Sequence, residues 1–264
     1  MHLELKMKHF IENRDGRRIS VLVETNKNPR GLVFVMHGLS GNKEQPHIMV
    51  MINAFKERGY NVISFDTTNT HGESDGNLED ATITNYYADL EDIISWSKNQ
   101  EWYKEPFILA GHSVGGICVL LYAQKFPDKI MALAPISTVI SGELSFQNKK
   151  SDSLEKWRRE GMKTWVGHSG RTKRLKWSHM EDRLKYDVLR EVDKIRVPVL
   201  LIVGENDDST PVEHHKILYN ALKSQKEFHI IKGAEHTFRT PEQLDEIKDI
   251  FLKWIDNLSK PLSK

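Results

Sequence analysis

Five residues near the middle of the chain, Gly111-His112-Ser113-Val114-Gly115, have the arrangement G-x-S-x-G. They follow the apolar run Phe107–Ala110 and precede the helix-like run Ile117–Phe126, which places the serine at a strand-to-helix turn. That placement suits a nucleophile. A sharp turn strains the serine backbone, demands tiny neighbours and projects the hydroxyl away from the sheet. The helix that starts there aims backbone N–H groups at negative charge forming beside the hydroxyl. The competing reading of Ser113 is an ordinary helix cap. Cys118, on the same buried helix, suits packing better than attack. It is the only cysteine, and no H-E-x-x-H occurs, so neither a metal site nor a cofactor is expected.

A serine so placed needs a rigid sheet beneath it, and strand-like and helix-like segments alternate as a parallel sheet covered by helices requires. Leu3–Phe10 and Arg17–Thr25 flank the turn dipeptide Asp15-Gly16 and predict an opening β-hairpin. Leu32–Met36 is a continuous apolar run, as expected of a strand buried on both faces. Asn61–Phe65, Phe107–Ala110, Ile130–Leu133 and Val197–Val203 repeat it, and His229–Ile231 is a shorter version. Ile83, Tyr87, Leu90 and Ile94 recur at helical spacing, as do Leu244, Ile247, Phe251, Trp254 and Leu258. Two helix starts are marked locally. Thr210-Pro211-Val212-Glu213 offers a capping threonine, a first-turn proline and a glutamate, and Thr240-Pro241-Glu242-Gln243 repeats this with glutamine.

One stretch interrupts the alternation. Ser141–Arg190 holds no strand-like run and carries thirteen Lys and Arg against seven Asp and Glu, a net +6 against −5 elsewhere. Met180, Leu184 and Val188 step at helical spacing, and Gly167-His168-Ser169-Gly170 reads as a turn between two helices. The stretch is therefore expected to be a helical insertion. The whole chain, 264 residues with 38 basic and 37 acidic side chains and 39% hydrophobic residues, excludes a histone-like, acidic-tail or disordered protein. No apolar run reaches the ~18 residues of a membrane-spanning helix, and Met1–Phe10 lacks the apolar core of a secretory signal. One cysteine excludes an internal disulfide and suits a reducing cytoplasm.

On these residues the chain resembles the α/β-hydrolase superfamily of serine hydrolases, in its carboxylesterase, lysophospholipase and serine aminopeptidase-like group. The resemblance implies a mostly parallel eight-stranded sheet flanked by helices, with the core in 1–140 and 191–264 and a helical cap over the active site in 141–190. Three further segments look like the family's signatures. His37-Gly38-Leu39-Ser40-Gly41 follows a strand as the oxyanion loop does, so the backbone N–H of Leu39 would join that of Val114 in holding an anionic oxygen. Gly204-Glu205-Asn206-Asp207 ends a strand where the family keeps its acid, and Gly233-Ala234-Glu235-His236 follows the last strand where it keeps its histidine. Ser113, Asp207, His236 is then the expected chain order of a triad. Asp208 is the neighbouring rival for the acid, and the family's spacing from Gly204 to Pro211 favours Asp207. One segment departs from the pattern. Asp66 to Ser74 resembles a loop usually reading D-x-x-G-x-G-x-S, but has one extra residue before Gly72 and no earlier glycine.

The implied reaction is hydrolysis of a small-molecule carboxylic ester through an acyl-enzyme on Ser113, with His236 as base and Asp207 behind it. Thioesters and aminoacyl amides need the same machinery, and a non-catalytic ligand binder on this scaffold is the alternative of a different class. Among the other histidines, His112 is expected to pack beside the serine, His37 to hold its loop, and His214 and His215 to be solvated. Trp157, Trp165 and Trp177 in the insertion either cover the core or form an apolar wall for an acyl chain. The basic charge beside them either faces water or draws anionic substrates or a lipid surface. Nucleic acid is not an expected partner, because the chain lacks a strongly basic balance.

Overall fold

The computed structural model describes residues 5–167 and 170–258. Among the described residues ten strands form, β1 (Leu5–Glu12), β2 (Arg18–Thr25), β3 (Leu32–Met36), β4 (Asn61–Phe65), β5 (Phe107–His112), β6 (Ile130–Ile136), β7 (Met162–Val166), β8 (Thr172–Lys176), β9 (Val199–Gly204) and β10 (Lys226–Ile231). The α-helices are α1 (Pro46–Glu57), α2 (Ile83–Ser97), α3 (Val114–Lys125), α4 (Gly142–Gln147), α5 (Ser151–Glu160), α6 (Ser178–Arg183), α7 (Val212–Ala221) and α8 (Pro241–Asn257). Eight strands make one sheet in the order β1-β2-β4-β3-β5-β6-β9-β10. The β1–β2 and β2–β4 pairings are antiparallel and the others parallel, as expected of the fold.

The continuous apolar runs became strands because both sheet faces are covered. Along β3, Leu32, Phe34 and Met36 enter one core with α2 and α3, while Val33 and Val35 enter the other with α1 and α8. Alternation at period two along β3 therefore feeds two cores, and all five of its residues are buried and apolar. Helix α8 buries Ile247, Phe251 and Trp254, and Thr240 and Gln243 close the expected capping box. Among the described residues no helix is long and apolar enough to cross a membrane.

Residues 141–190 correct the expectation of a wholly helical insertion. Helices α4, α5 and α6 are present, but β7 and β8 pair antiparallel between them, with Trp165 opposite Lys173. Residues 168 and 169 of the expected interhelical turn lie outside the described residues. This hairpin stands outside the main sheet, so neither strand carries a continuous apolar run. The steps Met180, Leu184, Val188 do not make one helix either, since α6 ends at Arg183. The chain then turns back, and Gly142 N–H donates to Tyr186 O at 2.8 Å beside a bridge between Ser141 and Asp187. The two ends of the insertion are thereby tied together.

Candidate active site

The parallel strands deliver the predicted residues to one edge of the sheet. Ser113 follows β5, the loop His37–Gly41 follows β3, Asp207 follows β9 and His236 follows β10, all at carboxyl ends, where open α/β sheets form their crevices. Ser113 has φ 55° and ψ −114°, a strained conformation for a residue with a side chain. It makes no capping bond to α3, which removes the ordinary-cap reading. Its hydroxyl donates instead to His236 Nε2 at 2.9 Å, and His236 Nδ1–H donates to Asp207 Oδ2 at 2.8 Å.

Small neighbours make that turn possible. A Cβ on Gly115 would sit 2.5 Å from His37 O, and one on Gly38 would sit 2.9 Å from Ser113 Cβ. The loop after β3 is therefore pressed against the serine. Neither the Leu39 nor the Val114 N–H donates to another described residue. Because the obstacle at Gly115 is backbone, which cannot swing away, Gly115→Ala is expected to lower stability by about 1–3 kcal/mol. Urea midpoints check this, and a variant matching the parent would contradict it.

Asp207, not Asp208, reaches the histidine. Burial pushes the Asp207 carboxyl up, but the His236 hydrogen bond and charge, with the Thr210 amide and hydroxyl, outweigh burial and hold it below the usual carboxylate value. Oδ1 accepts from the Ser209 and Thr210 amides at 2.9 and 2.8 Å. Thr210 was expected to cap a helix, yet α7 begins at Val212 without a side-chain cap, and the Thr210 hydroxyl lies 2.9 Å from both Asp207 Oδ2 and Ser137 O. The Asp208 side chain is exposed and accepts from the Ser209 hydroxyl.

Four other histidines frame the site. His112 packs beside Ser113 as expected and donates through Nε2 to His236 O at 2.8 Å, fixing the His236 backbone. His37 holds its own loop, with Nδ1 2.7 Å from Gly38 O and Nε2 accepting from Thr67 N. His47 packs at a tilt against His112, with ring centroids 4.3 Å apart, and burial pushes its pKa down to about 3. His215 corrects the expectation of a solvated residue. It is fully buried and accepts from Thr138 N at 2.9 Å, while His214 is only half-buried.

Burial pushes the His215 pKa down from 6.5 to about 4. The unfolded chain therefore takes up this proton first as pH falls from 6.5 towards 4, so stability is intact above that window and lost within it, at up to about 1.4 kcal/mol per pH unit. Replacing His215 by glutamine is expected to flatten the dependence of the urea midpoint on pH across that range. An unchanged slope would show that the imidazole is not held neutral.

The departing loop after β4 has a physical account. Asn69 adopts φ 59°, supplying the left-handed position in a loop that lacks the early glycine. Asp66 accepts from the Lys43 and Glu73 amides and pairs with the buried Lys43 ammonium at 2.6 Å. Lys43 thus fastens the loop beside Ser113 to the loop after β4, a role no sequence motif announces.

The site opens into a cavity of about 1120 Å³ whose lining includes Ser113, His236 and the insertion. Trp157 and Trp165 line it, and the Trp157 indole donates to Leu175 O at 2.9 Å. Trp177 does not line it and stacks edge-on against Trp157. Among the described residues no group of three His, Cys, Asp or Glu side chains is arranged to hold a metal ion.

A mostly parallel eight-stranded sheet with a strained serine turn at the end of a central strand is the architecture of the α/β-hydrolase superfamily, and the chain is a hydrolase of that superfamily. The family model described as serine aminopeptidase, S33, matches residues 27–187 and 174–241, and the chain belongs to that family. It is 26% identical over 215 residues to the palmitoyl-protein thioesterase ABHD10, mitochondrial, of Bos taurus. That match covers 76% of this chain and 64% of the bovine protein, just under two thirds of its length. The structure of Est1E from Butyrivibrio proteoclasticus with ferulic acid bound is similar, with TM-score 0.79, 22% identity and coverage of 96% of this chain and 98% of Est1E. Mouse alpha/beta hydrolase domain-containing protein 10 gives TM-score 0.78 and 21% identity, over 96% of this chain and 100% of the mouse chain. At these identities the structural likeness speaks to the fold alone.

Proposed function

We propose that this chain is a serine hydrolase that cleaves carboxylic esters by acyl-enzyme formation on Ser113. The observation that carries the reading is the continuous relay from the Ser113 hydroxyl through the His236 imidazole to the buried Asp207 carboxylate, with spans of 2.9 and 2.8 Å. The Ser113 oxygen attacks the ester carbonyl as its proton passes to His236 Nε2, forming a C–O bond and an oxyanion. The Leu39 and Val114 N–H groups stabilise that oxyanion, a contribution of roughly 3–4 kcal/mol per donor in other enzymes. Collapse expels the alcohol, which takes the proton from His236. Water, deprotonated by the same imidazole, then releases the acid and regenerates the serine. Residues 141–190 act as a cap, with Trp157 and Trp165 as an apolar wall for the acyl group.

Thioesters and aminoacyl amides are the competing bonds, suggested by the names of the bovine relative and of the family. A matched panel of p-nitrophenyl esters, acyl thioesters and aminoacyl anilides decides among them by kcat/KM. The esters are expected to be fastest, all through Ser113. An anilide faster than every ester would overturn the choice of bond. Tight, stoichiometric retention of a ligand without turnover would favour a binding protein. A reducing, cytoplasmic setting belongs to the same reading and is supported by the lone, buried Cys118.

A further inference from the structure

Arg183, the last residue of α6, lines the cavity yet is only 8% exposed. No carboxylate of a described residue forms an ion pair with it, and its Nε has no hydrogen-bond partner. Its sequence neighbour Asp182 is committed elsewhere, accepting from the Thr84 amide at 2.9 Å and pairing with Lys185. A guanidinium keeps its proton in proteins, so this charge is buried without a counter-charge. Burial alone pulls its pKa down, to about 10, and no neighbouring anion pulls it back.

The same wall holds more unmatched charge. Lys149, half-buried, is pushed down to about 8 by burial and by the charges of Arg183 and Lys163, with only the exposed Asp208 opposing. His179 donates Nδ1–H to Ala81 O at 2.8 Å, which leaves its buried Nε2 without a partner. Among the described residues the carboxylates lining the cavity are Asp208 and Glu235, and Glu235 is already paired with Arg239. The insertion's positive charge is thus not all a solvated face.

The geometry points to an anion subsite in the cap wall, in which Arg183, with Lys149 beside it, holds a carboxylate or phosphate carried by the substrate. This rests on the ester-hydrolase reading and narrows it to esters bearing a second, anionic group. A guanidinium fork suits either anion, and the cavity joining Arg183 to Ser113 lets the anion sit on the acyl part or on the alcohol.

The test compares charged and uncharged partners of equal length. Mono-4-nitrophenyl esters of succinic, glutaric and adipic acids are paired with the uncharged 4-nitrophenyl esters of the same acyl length. Lysophosphatidic acid is paired with the monoacylglycerol of the same acyl chain. In the wild type the anionic member of at least one pair is expected to have kcat/KM higher by about tenfold or more. The pair that responds tells a carboxylate on the acyl part from a phosphate on the alcohol. Arg183→Gln is expected to bring that ratio to within about twofold of unity, with Arg183→Lys retaining part of it. Lys149→Gln provides a second reduction should the buried replacement fail to fold. A wild-type ratio near one in every pair overturns the subsite without needing any variant, as does a ratio that survives both glutamine replacements. Ester cleavage that persists in Ser113→Ala overturns the hydrolase reading instead, so the two failures are distinguishable.

Discussion

Ser113→Ala is expected to lower kcat for p-nitrophenyl ester hydrolysis by about 10⁴–10⁶-fold while leaving KM within about threefold. The expected loss is large because the proposed mechanism makes the hydroxyl the atom that forms the acyl bond, and Thr210, the hydroxyl 3.4 Å from His236 Nδ1, sits on the wrong side of the ring to replace it. In that mechanism what survives comes from substrate binding and from the proposed oxyanion amides of Leu39 and Val114, worth about 10³–10⁴ over water in a related triad. The variant is expected to fold. Serine and alanine place the same Cβ at φ 55°, and among the described residues the side-chain hydrogen bond removed is the one to His236. Rapid-mixing assays make the comparison sharper. The wild type should show a burst of nitrophenol equal to the enzyme concentration whenever deacylation is slower than acylation, and the variant should show none. Retention of a tenth of the wild-type rate in a correctly folded Ser113→Ala would contradict the account.

Asp207→Asn should cost about 10⁴-fold in kcat, against no more than about threefold for Asp208→Asn. The asymmetry follows from placement. Asp207 is buried, is met by two backbone amides and reaches His236 Nδ1 at 2.8 Å, whereas the Asp208 side chain is exposed. An asparagine at 207 keeps the shape but offers the imidazole no negative charge and an amide in place of an acceptor, so the ring loses both its tautomer and the partner for its protonated form. Because the Asp207 carboxyl is held below its ordinary value of 3.8, it stays ionised throughout the working range. The acid limb of the rate profile must then come from another group, and no limb above about pH 4 should disappear in Asp207→Asn alone. Equal losses in the two asparagine variants would move the acid to the neighbouring position.

Which parts of this were legible beforehand depended on how many surfaces each residue meets. Leu32–Met36 and Asn61–Phe65 are strands as their sequences predict, because burial on both faces favours a short, largely apolar run without alternation. Ser113 is marked by a G-x-S-x-G turn after a strand, whereas Asp207 and His236 are pointed to by the family resemblance, and the fold brings the three side chains within hydrogen-bond distance. The hairpin of β7 and β8 was missed because a two-stranded ribbon outside the main sheet carries Lys163, Thr164, Lys173 and Arg174 without a buried run. Thr210 had the local chemistry of a cap, and a tertiary contact with Asp207 claimed its hydroxyl instead. His215 falls in the helix after the acid, a position that suits a solvated residue, yet it is buried, and its Nε2 meets Thr138 N. Arg183 could not be singled out among thirteen basic residues in its stretch. Its distinction is that no acidic partner meets it among the described residues, which only the folded arrangement reveals.

The central claim is that the Ser113 hydroxyl is an activated nucleophile, and covalent capture reads that property without assuming a substrate. The native protein is treated with a fluorophosphonate at neutral pH, digested, and its peptides are mapped by mass. The account predicts one adduct per chain on Ser113, formed quickly in the wild type, slowed severely in Asp207→Asn and absent after unfolding in urea. No adduct on the folded chain, or one on another residue with Ser113 unmodified, would contradict it.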